Sequence, residues 1–172
     1  GRDHHNDRSA FGIRTQRLAA FFRGDLDRVA REIVGDWTRF TGRLDYPSLM
    51  LIELADRRTP TDLDVLDTII PYAEQRSIRL IEGPALRLRG LQRADPEDLR
   101  RALALFEAMG AKPLAVRTRG ELALMTGDRD AAETALTDLE RLGDARQAAA
   151  FAAEVRAGAI RMASAATASS AG

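Results

Sequence analysis

The segment ALRLRGL at residues 85–91 returns thirty residues later as AVRTRGEL at residues 115–122. Both copies contain Ala-x-Arg-x-Arg-Gly. Each precedes an acidic segment, DPED at 95–98 and GD at 127–128, that leads into apolar residues at helical spacing. A helical hairpin that repeats at this interval predicts an α-solenoid, in which antiparallel helix pairs stack in chain order.

A second repeated signal, Gly-Asp-x-Asp, occurs at residues 24–27 and again at 127–130, about three repeats of ~34 residues apart. Glycine suits the left-handed position after a helix, and aspartate accepts hydrogen bonds from the first N–H groups of the next helix. Gly110, Gly127 and Gly143 are therefore predicted to follow the ends of helices.

These signals and the apolar periodicity predict an all-α protein with about nine helices. The expected spans are 9–23, 26–41, 47–57, from the start signal TPTD at 59–62 to about 76, 80–93, 96–109, 113–126, 129–142 and 145–157. The run LMLI at 49–52 is by itself also compatible with a buried strand, but its helical neighbours favour a helix. Pro71 lies inside the fourth helix, where a proline costs about 3 kcal/mol and predicts a bend.

The predicted fold is a right-handed α-solenoid of about four antiparallel helix pairs, with the ninth helix as a C-terminal cap over the last pair. Residues 1–8 are expected to form a disordered leader, which holds both histidines, His4 and His5. Residues 9–158 form the predicted helical repeat domain, and residues 159–172 a flexible tail rich in alanine and serine. Because the chain opens with Gly1 rather than Met, we interpret it as a fragment of a longer protein.

The composition excludes several classes of protein. With 26 basic and 26 acidic residues the net charge is zero, whereas nucleic-acid binders usually carry a basic excess. The absence of cysteine excludes disulfides and thiolate metal sites. No apolar run approaches the ~18 residues of a membrane span, and no signal peptide is visible. We therefore expect a cytoplasmic protein with no membrane partner.

The motifs of common catalytic sites are missing from the sequence. There is no phosphate-binding loop and no His-Glu-x-x-His zinc motif, and both histidines lie in the leader, away from the predicted fold. Asp62, Asp64 and Asp67 form the densest group of acids, which suits a helix N-terminus better than a metal site. The expectation is a protein that is not an enzyme and holds no cofactor and no metal.

The hairpins resemble tetratricopeptide repeats, which place small residues on both helices and apolar residues four and seven positions later. Two hairpins fit this pattern, through Gly90, Ala102, Phe106 and Met109 and through Gly120, Ala132, Leu136 and Leu139. The first hairpin departs from it, because Arg17 stands where a small residue belongs.

A second resemblance lies in ALALFEAMGAKP at 102–113, followed by RGEL at 119–122. This phrase is similar to the divergent helical repeats of large bacterial signal-transduction ATPases, among them LuxR-type transcriptional regulators and multidomain adenylate cyclases. The similarity covers about residues 60–157. It implies a sensor or scaffold region of a regulatory protein whose effector domain lies elsewhere in the parent chain.

The predicted function is accordingly a non-catalytic protein–protein interaction or regulatory scaffold region of a larger bacterial signalling or transcription-regulatory protein. Its partner would be a protein or peptide, such as another domain of the same parent chain. Two alternatives stay open: a helical enzyme domain with an unrecognised active site, and a nucleic-acid-binding helical array.

The paired arginines supply the candidate partner-binding residues. Residues two apart lie about 200° apart around a helix, so the two arginines of a pair face different ways. Counted against the repeat, Arg87 and Arg117 fall at groove-lining positions, where guanidinium groups would hold an acidic peptide, while Arg89 and Arg119 fall at helix–helix seams beside acids. The predicted partner-binding residues on the concave groove are Arg14, Arg87, Arg117 and Glu121. The alternative is that these arginines are simply solvated.

Two further expectations concern packing. Gly90, Gly120, Ala102 and Ala132 are predicted at close helix–helix contacts, where a larger side chain would overpack by ~1–3 kcal/mol. Four of the nine aromatic residues are expected to pack between the first helices, with an exposed partner-binding patch as the alternative. They are Phe21, Phe22, Trp37 and Phe40.

Overall fold

A computed structural model describes the backbone of residues 45–170 and the side chains of residues 48–158. The predicted leader, the first hairpin with Arg14 and Arg17, and the four N-terminal aromatic residues all lie outside the described residues. Statements about the structure below refer to the described part of the chain.

The described residues form seven α-helices and no strand. They are α1 (Asp45–Asp56), α2 (Leu63–Gln75), α3 (Arg79–Arg93), α4 (Pro96–Ala108), α5 (Lys112–Thr126), α6 (Arg129–Arg141) and α7 (Ala145–Ser170). The all-helical prediction is confirmed over this range, and residues 49–52 lie within α1 rather than in a strand. Helix α2 continues through Pro71 without a break.

Three helix N-termini are capped by the aspartates that the start signals contain. The carboxylates of Asp62, Asp95 and Asp128 accept hydrogen bonds from backbone N–H groups of α2, α4 and α6 at 3.0, 2.8 and 3.0 Å. An oxygen at this position satisfies one of the N–H groups that a helix start leaves without a partner. The predicted starts of these three helices are thereby confirmed.

Six helix ends share one geometry, a residue in the left-handed conformation directly after the last turn. Gly110, Gly127 and Gly143 adopt it with φ of 67°, 79° and 76°, as predicted. Arg58, Ser77 and Ala94 adopt it too, with φ between 52° and 54°. These three were missed because only glycine signals this conformation in a sequence.

The last helix differs from its prediction. Helix α7 runs to Ser170, so the predicted end near residue 157 is wrong, and most of the predicted alanine- and serine-rich tail lies within this helix. Alanine has the highest intrinsic helix propensity, and with alanines on both sides of Gly158 the helix continues through that glycine.

Each helix packs against its neighbours in the chain, with the exception that α1 packs chiefly on α3. The apolar side chains form two clusters. The first contains residues of α1, α2, α3 and α4 and includes Leu66, Leu86 and Phe106. The second contains residues of α5, α6 and α7 and includes Leu139 and Phe151. Helix α5 lies between the two clusters and contributes to both.

The small residues lie where the helices approach most closely. A Cβ atom on Gly120 would come within 2.3 Å of the Phe151 ring, and one on Gly90 within 3.0 Å of the Asp98 Cβ. Ala102 and Ala132 are completely buried. The predicted close contacts at these four positions are confirmed.

Candidate functional site

Six charged side chains meet where α1, α3, α5 and α7 come together, a region that we call the arginine–carboxylate cluster. Its members are Asp56 of α1, Arg58 after α1, Arg87 of α3, Arg117 and Glu121 of α5, and Glu154 of α7. Three guanidinium groups face three carboxylates, so the formal charges of the cluster cancel.

At its centre, Arg87 forms a two-pronged ion pair with Glu121. Arg87 Nε donates to Glu121 Oε2 at 2.8 Å, and Arg87 Nη2 donates to Oε1 at 2.7 Å. Both side chains are fully buried, and Arg87 Nη2 also lies 2.7 Å from Asp56 Oδ1. The planar guanidinium fork matches a carboxylate in this geometry, which makes it one of the stronger hydrogen-bonded ion pairs in proteins.

Glu121 forms ion pairs with all three arginines of the cluster. Arg117, one helical turn earlier on α5, donates through Nε to Glu121 Oε1 at 2.9 Å, and Arg58 Nη2 lies 3.3 Å from the same oxygen. Burial by itself would raise the pKa of Glu121, but the positive charge of Arg87 and its hydrogen bonds, helped by Arg58 and Arg117, lower that pKa to about 2. Glu121 is therefore ionised throughout the physiological range.

Glu154 lies at the partly exposed end of the cluster. Its Oε2 accepts a hydrogen bond from Arg58 Nη2, and its Oε1 accepts one from Arg117 Nη2. The Arg117 guanidinium also lies over the Phe151 ring, 4.6 Å from the centroid, a distance at which cation and ring attract each other. The side chains of Arg58 and Glu154 are 37% and 24% exposed, whereas that of Arg117 is 1% exposed. Arg58 and Glu154 are thus the most solvent-exposed of the described members of the cluster.

Further polar contacts join α1 to α7 beside the cluster. Arg146 Nη2 donates to both oxygens of Glu53, at 2.6 and 2.7 Å, and Gln147 donates to Asp56. Burial opposes ionisation of Glu53, yet Arg146 and Arg57 lower its pKa below the usual range. The first and last described helices are thus bridged by charged and polar side chains.

The structure brings together three of the four predicted partner-binding residues, Arg87, Arg117 and Glu121; Arg14 lies outside the described range. The three side chains are buried and bound to one another rather than lining an open groove. Replacing both arginines with glutamate should therefore destabilise the fold, because it would leave five carboxylates in the cluster with Arg58 as their one cationic partner among its members.

The prediction for the second arginine of each pair is confirmed. Arg89 donates to Asp98 at 2.6 and 2.7 Å and to Asp67 at 2.8 Å, across the seams between α3, α4 and α2. Arg119 donates to Glu107 at 2.7 Å.

Sequence reasoning missed Asp56, Arg58 and Glu154. Glu154 follows Glu121 by about one repeat length, a signal that could have singled it out. Arg58 offered no such signal, because it belongs to the end of α1 and does not recur in the other hairpins.

Among the clefts that the described residues line, two are of interest. One, of about 400 Å³, lies between α4, α5 and α6, with Phe106, Val116 and Leu142 in its lining and ion-paired side chains around them. The other, of about 370 Å³, adjoins the cluster, because Arg58 is part of its wall. The rest of this second lining is mostly apolar and consists of Ala55, Pro60, Thr61, Leu63, Leu88, Leu91 and Gln92.

In the part of the chain that the structure describes, no group of three or more histidine, cysteine, aspartate or glutamate side chains is arranged to hold a metal ion. Among the helices of residues 45–170, none combines the length and the apolar character that crossing a membrane requires. Comparisons of the chain with family models, curated proteins and solved structures give no match.

Proposed function

We propose that this chain is a non-catalytic protein-interaction module, built as a right-handed tetratricopeptide-like solenoid, in a larger cytoplasmic signalling or transcription-regulatory protein of bacterial type. Its partner is a protein or peptide, and another domain of the same parent chain is the candidate that the resemblance suggests.

The observation that supports this proposal is the convergence of side chains from successive first helices. Arg87 on α3, Arg117 and Glu121 on α5, and Glu154 on α7 meet in one cluster although they are about one repeat apart in the chain. Side chains in equivalent positions can meet in this way when hairpins stack in register, and such stacking creates a common surface for a partner.

The electrostatics favour binding over catalysis. A general acid or base works best when its pKa lies near the operating pH, and Glu121, with a pKa of about 2, is far from that range. The balanced charge of the chain gives no support to a nucleic-acid-binding array, because such binding depends on neutralising phosphates with excess basic residues.

Isothermal titration calorimetry with the segments of the parent protein, each expressed separately, tests the proposal. We expect one segment to bind the 172-residue chain. Replacing Arg58 and Arg146 with glutamine, on the side of the molecule that carries the cluster, should weaken binding about tenfold, a loss of roughly 1.4 kcal/mol.

The matched control replaces Arg129 and Arg141 with glutamine. Both are exposed, and both form ion pairs within α6, away from the cluster. Equal weakening by the two double variants would show that the partner does not use the proposed surface, and binding by none of the parent segments would contradict the intramolecular partner.

A further inference from the structure

We propose that Arg58 and Arg117 form a carboxylate-exchange site, in which Glu154 is the resident occupant and an acidic side chain of a peptide partner is the competitor. When the competitor binds, the contact between α7 and the end of α1 is released. This inference rests on the proposed interaction function and specifies the chemistry of the partner.

The geometry of Glu154 is that of a carboxylate bound in a site. Its two oxygens bridge two guanidinium groups from separate elements, Arg58 after α1 and Arg117 on α5. A glutamate or aspartate from another chain offers the same two acceptor oxygens, so it can take the place of Glu154 without a change in the arginines.

The charge balance of the cluster favours an anionic occupant. If Glu154 leaves, the cluster retains three guanidinium groups against two carboxylates, Asp56 and Glu121. Arg117, which is almost completely buried, would keep its bond to Glu121 but lose the acceptor of its Nη2 group. A buried N–H group of a charged side chain is costly to leave without an acceptor, so the open site should attract an anion.

Among the described residues of the cluster, the two most exposed side chains lie at one end. Arg58 and Glu154 lie at the partly exposed end, and Arg58 also forms part of the wall of the 370 Å³ cleft with Leu63, Leu88 and Leu91. A partner that places an apolar side chain in this cleft can bring an adjacent carboxylate to Arg58. The structure thus fits a peptide in which acidic and apolar residues are neighbours.

Arg58 is held in place before any partner arrives. Its backbone has φ of 54°, and the turn is fixed by hydrogen bonds from Arg58 N–H to the Ala55 carbonyl at 3.1 Å and from Thr59 N–H to the Leu54 carbonyl at 3.0 Å. A fixed backbone lowers the entropy that is lost on binding.

Displacement of Glu154 affects α1 and α7 more than the rest of the fold. Glu154–Arg58 is one of three side-chain links that the structure shows between the α1 end and α7, and the others, Arg146–Glu53 and Gln147–Asp56, are also polar. The apolar residues of α7, by contrast, pack with α5 and α6. Exchange can therefore loosen the α1–α7 bridge while Phe151 stays buried.

Fluorescence anisotropy with a labelled peptide of alternating leucine and glutamate tests the exchange, with the same peptide carrying glutamine as its control. Glu154→Gln removes the internal competitor, so we expect it to bind the glutamate peptide about tenfold more tightly than the unaltered chain does. Adding Arg58→Gln to Glu154→Gln should abolish this gain, and the glutamine peptide should show no gain at all.

Glu133→Gln is the matched control variant, because Glu133 is an exposed partner of Arg129 on α6. It should leave the affinity unchanged. If Glu154→Gln binds the glutamate peptide no more tightly than the unaltered chain, or gains equally for both peptides, the exchange site is contradicted. If that variant loses its helical circular dichroism, Glu154→Asp takes its place. Its shorter side chain should still give a two- to threefold gain, on the order set by weaker internal competition, and no gain would overturn the proposal.

The test also separates this inference from the proposed function. A chain that binds a parent segment, but gains no affinity for it when Glu154 is replaced, contradicts the exchange site alone. Binding of the glutamate peptide with the expected gain, together with no binding of any parent segment, contradicts the intramolecular partner alone.

Discussion

Two arginine–glutamate pairs of this protein have the same length and very different surroundings. Arg87 Nε lies 2.8 Å from Glu121 Oε2, and Arg129 Nε lies 2.8 Å from Glu133 Oε1. The first pair is fully buried among four helices, while the side chains of the second are 60% and 51% exposed on α6. The distance between the partners therefore does not decide how much an ion pair contributes to stability, because the cost of removing either partner depends on whether water can replace it.

The largest expected effect comes from breaking the buried pair. Arg87→Met keeps a long side chain but leaves Glu121 and Asp56 with less positive charge in a buried site. We expect a loss of about 3–5 kcal/mol in the free energy of unfolding, measured by urea denaturation with circular dichroism. A loss below about 1 kcal/mol would place Arg87 in the same class as the surface arginines and would contradict its burial.

The contribution of Glu121 to the stability of the fold should depend on pH. The pKa of Glu121 is about 2 in the folded protein against 4.5 for a free glutamate. Its ionised form therefore stabilises the fold fully above pH ~4.5, and this contribution disappears as the pH falls towards 2. The stability difference between the unaltered chain and Glu121→Gln should accordingly be constant above pH 5 and shrink between about pH 4.5 and 2.

The measurement is urea unfolding at a series of pH values, with Glu133→Gln as the reference variant. A difference that stays constant down to pH 2 would mean that Arg87, Arg58 and Arg117 do not depress the pKa of Glu121. The same pH dependence in Glu133→Gln would mean that burial does not separate the two sites.

A smaller effect is expected where the cluster meets the apolar core. In Gly120→Ala the new Cβ would lie 2.3 Å from the Phe151 ring and 3.0 Å from Ala135 Cβ, so Phe151, over which Arg117 lies, must shift. We expect a loss of ~1–3 kcal/mol, seen as a lower melting temperature.

Ala132→Leu, at a fully buried position on α6, should lower the melting temperature as well. An unchanged melting temperature in both variants would contradict the register in which α5, α6 and α7 pack.

The sequence predicted the parts of this structure that depend on local signals. We could foresee the aspartates before α4 and α6, the glycines after α4, α5 and α6, and the pairing of Arg89 with nearby acids. Each rests on a contact at one helix end or between helices adjacent in the chain. Helical periodicity also put Arg87 and Arg117 on a different side of their helices from Arg89 and Arg119, and the two sets have different partners.

The periodicity could not show what covers that side. Arg87 pairs with Asp56, from a helix some thirty residues earlier, and no pattern in the sequence links the two. Arg117 pairs with Glu154, from a helix further along the chain, and only the repeat spacing from Glu121 pointed to that residue. Arg58 was hidden for a different reason, since a non-glycine residue in the left-handed conformation carries no recognisable signal. The cluster is thus a product of tertiary packing, and the same arginines would have been read as solvated without it.

The smallest expected change in stability comes from replacing the exposed pair. Arg129 and Glu133 are one turn apart on α6, and when either is removed water can solvate the other. Replacing both with glutamine should change the free energy of unfolding by no more than about 0.5 kcal/mol, and a double-mutant cycle should give a coupling of about 0.3–0.5 kcal/mol that falls as salt is added. The corresponding cycle for Arg87 and Glu121 should give a larger coupling that depends little on salt, because buried pairs are weakly screened. Equal couplings, or equal sensitivity to salt, would mean that solvent reaches both pairs alike and that the cluster is open in solution.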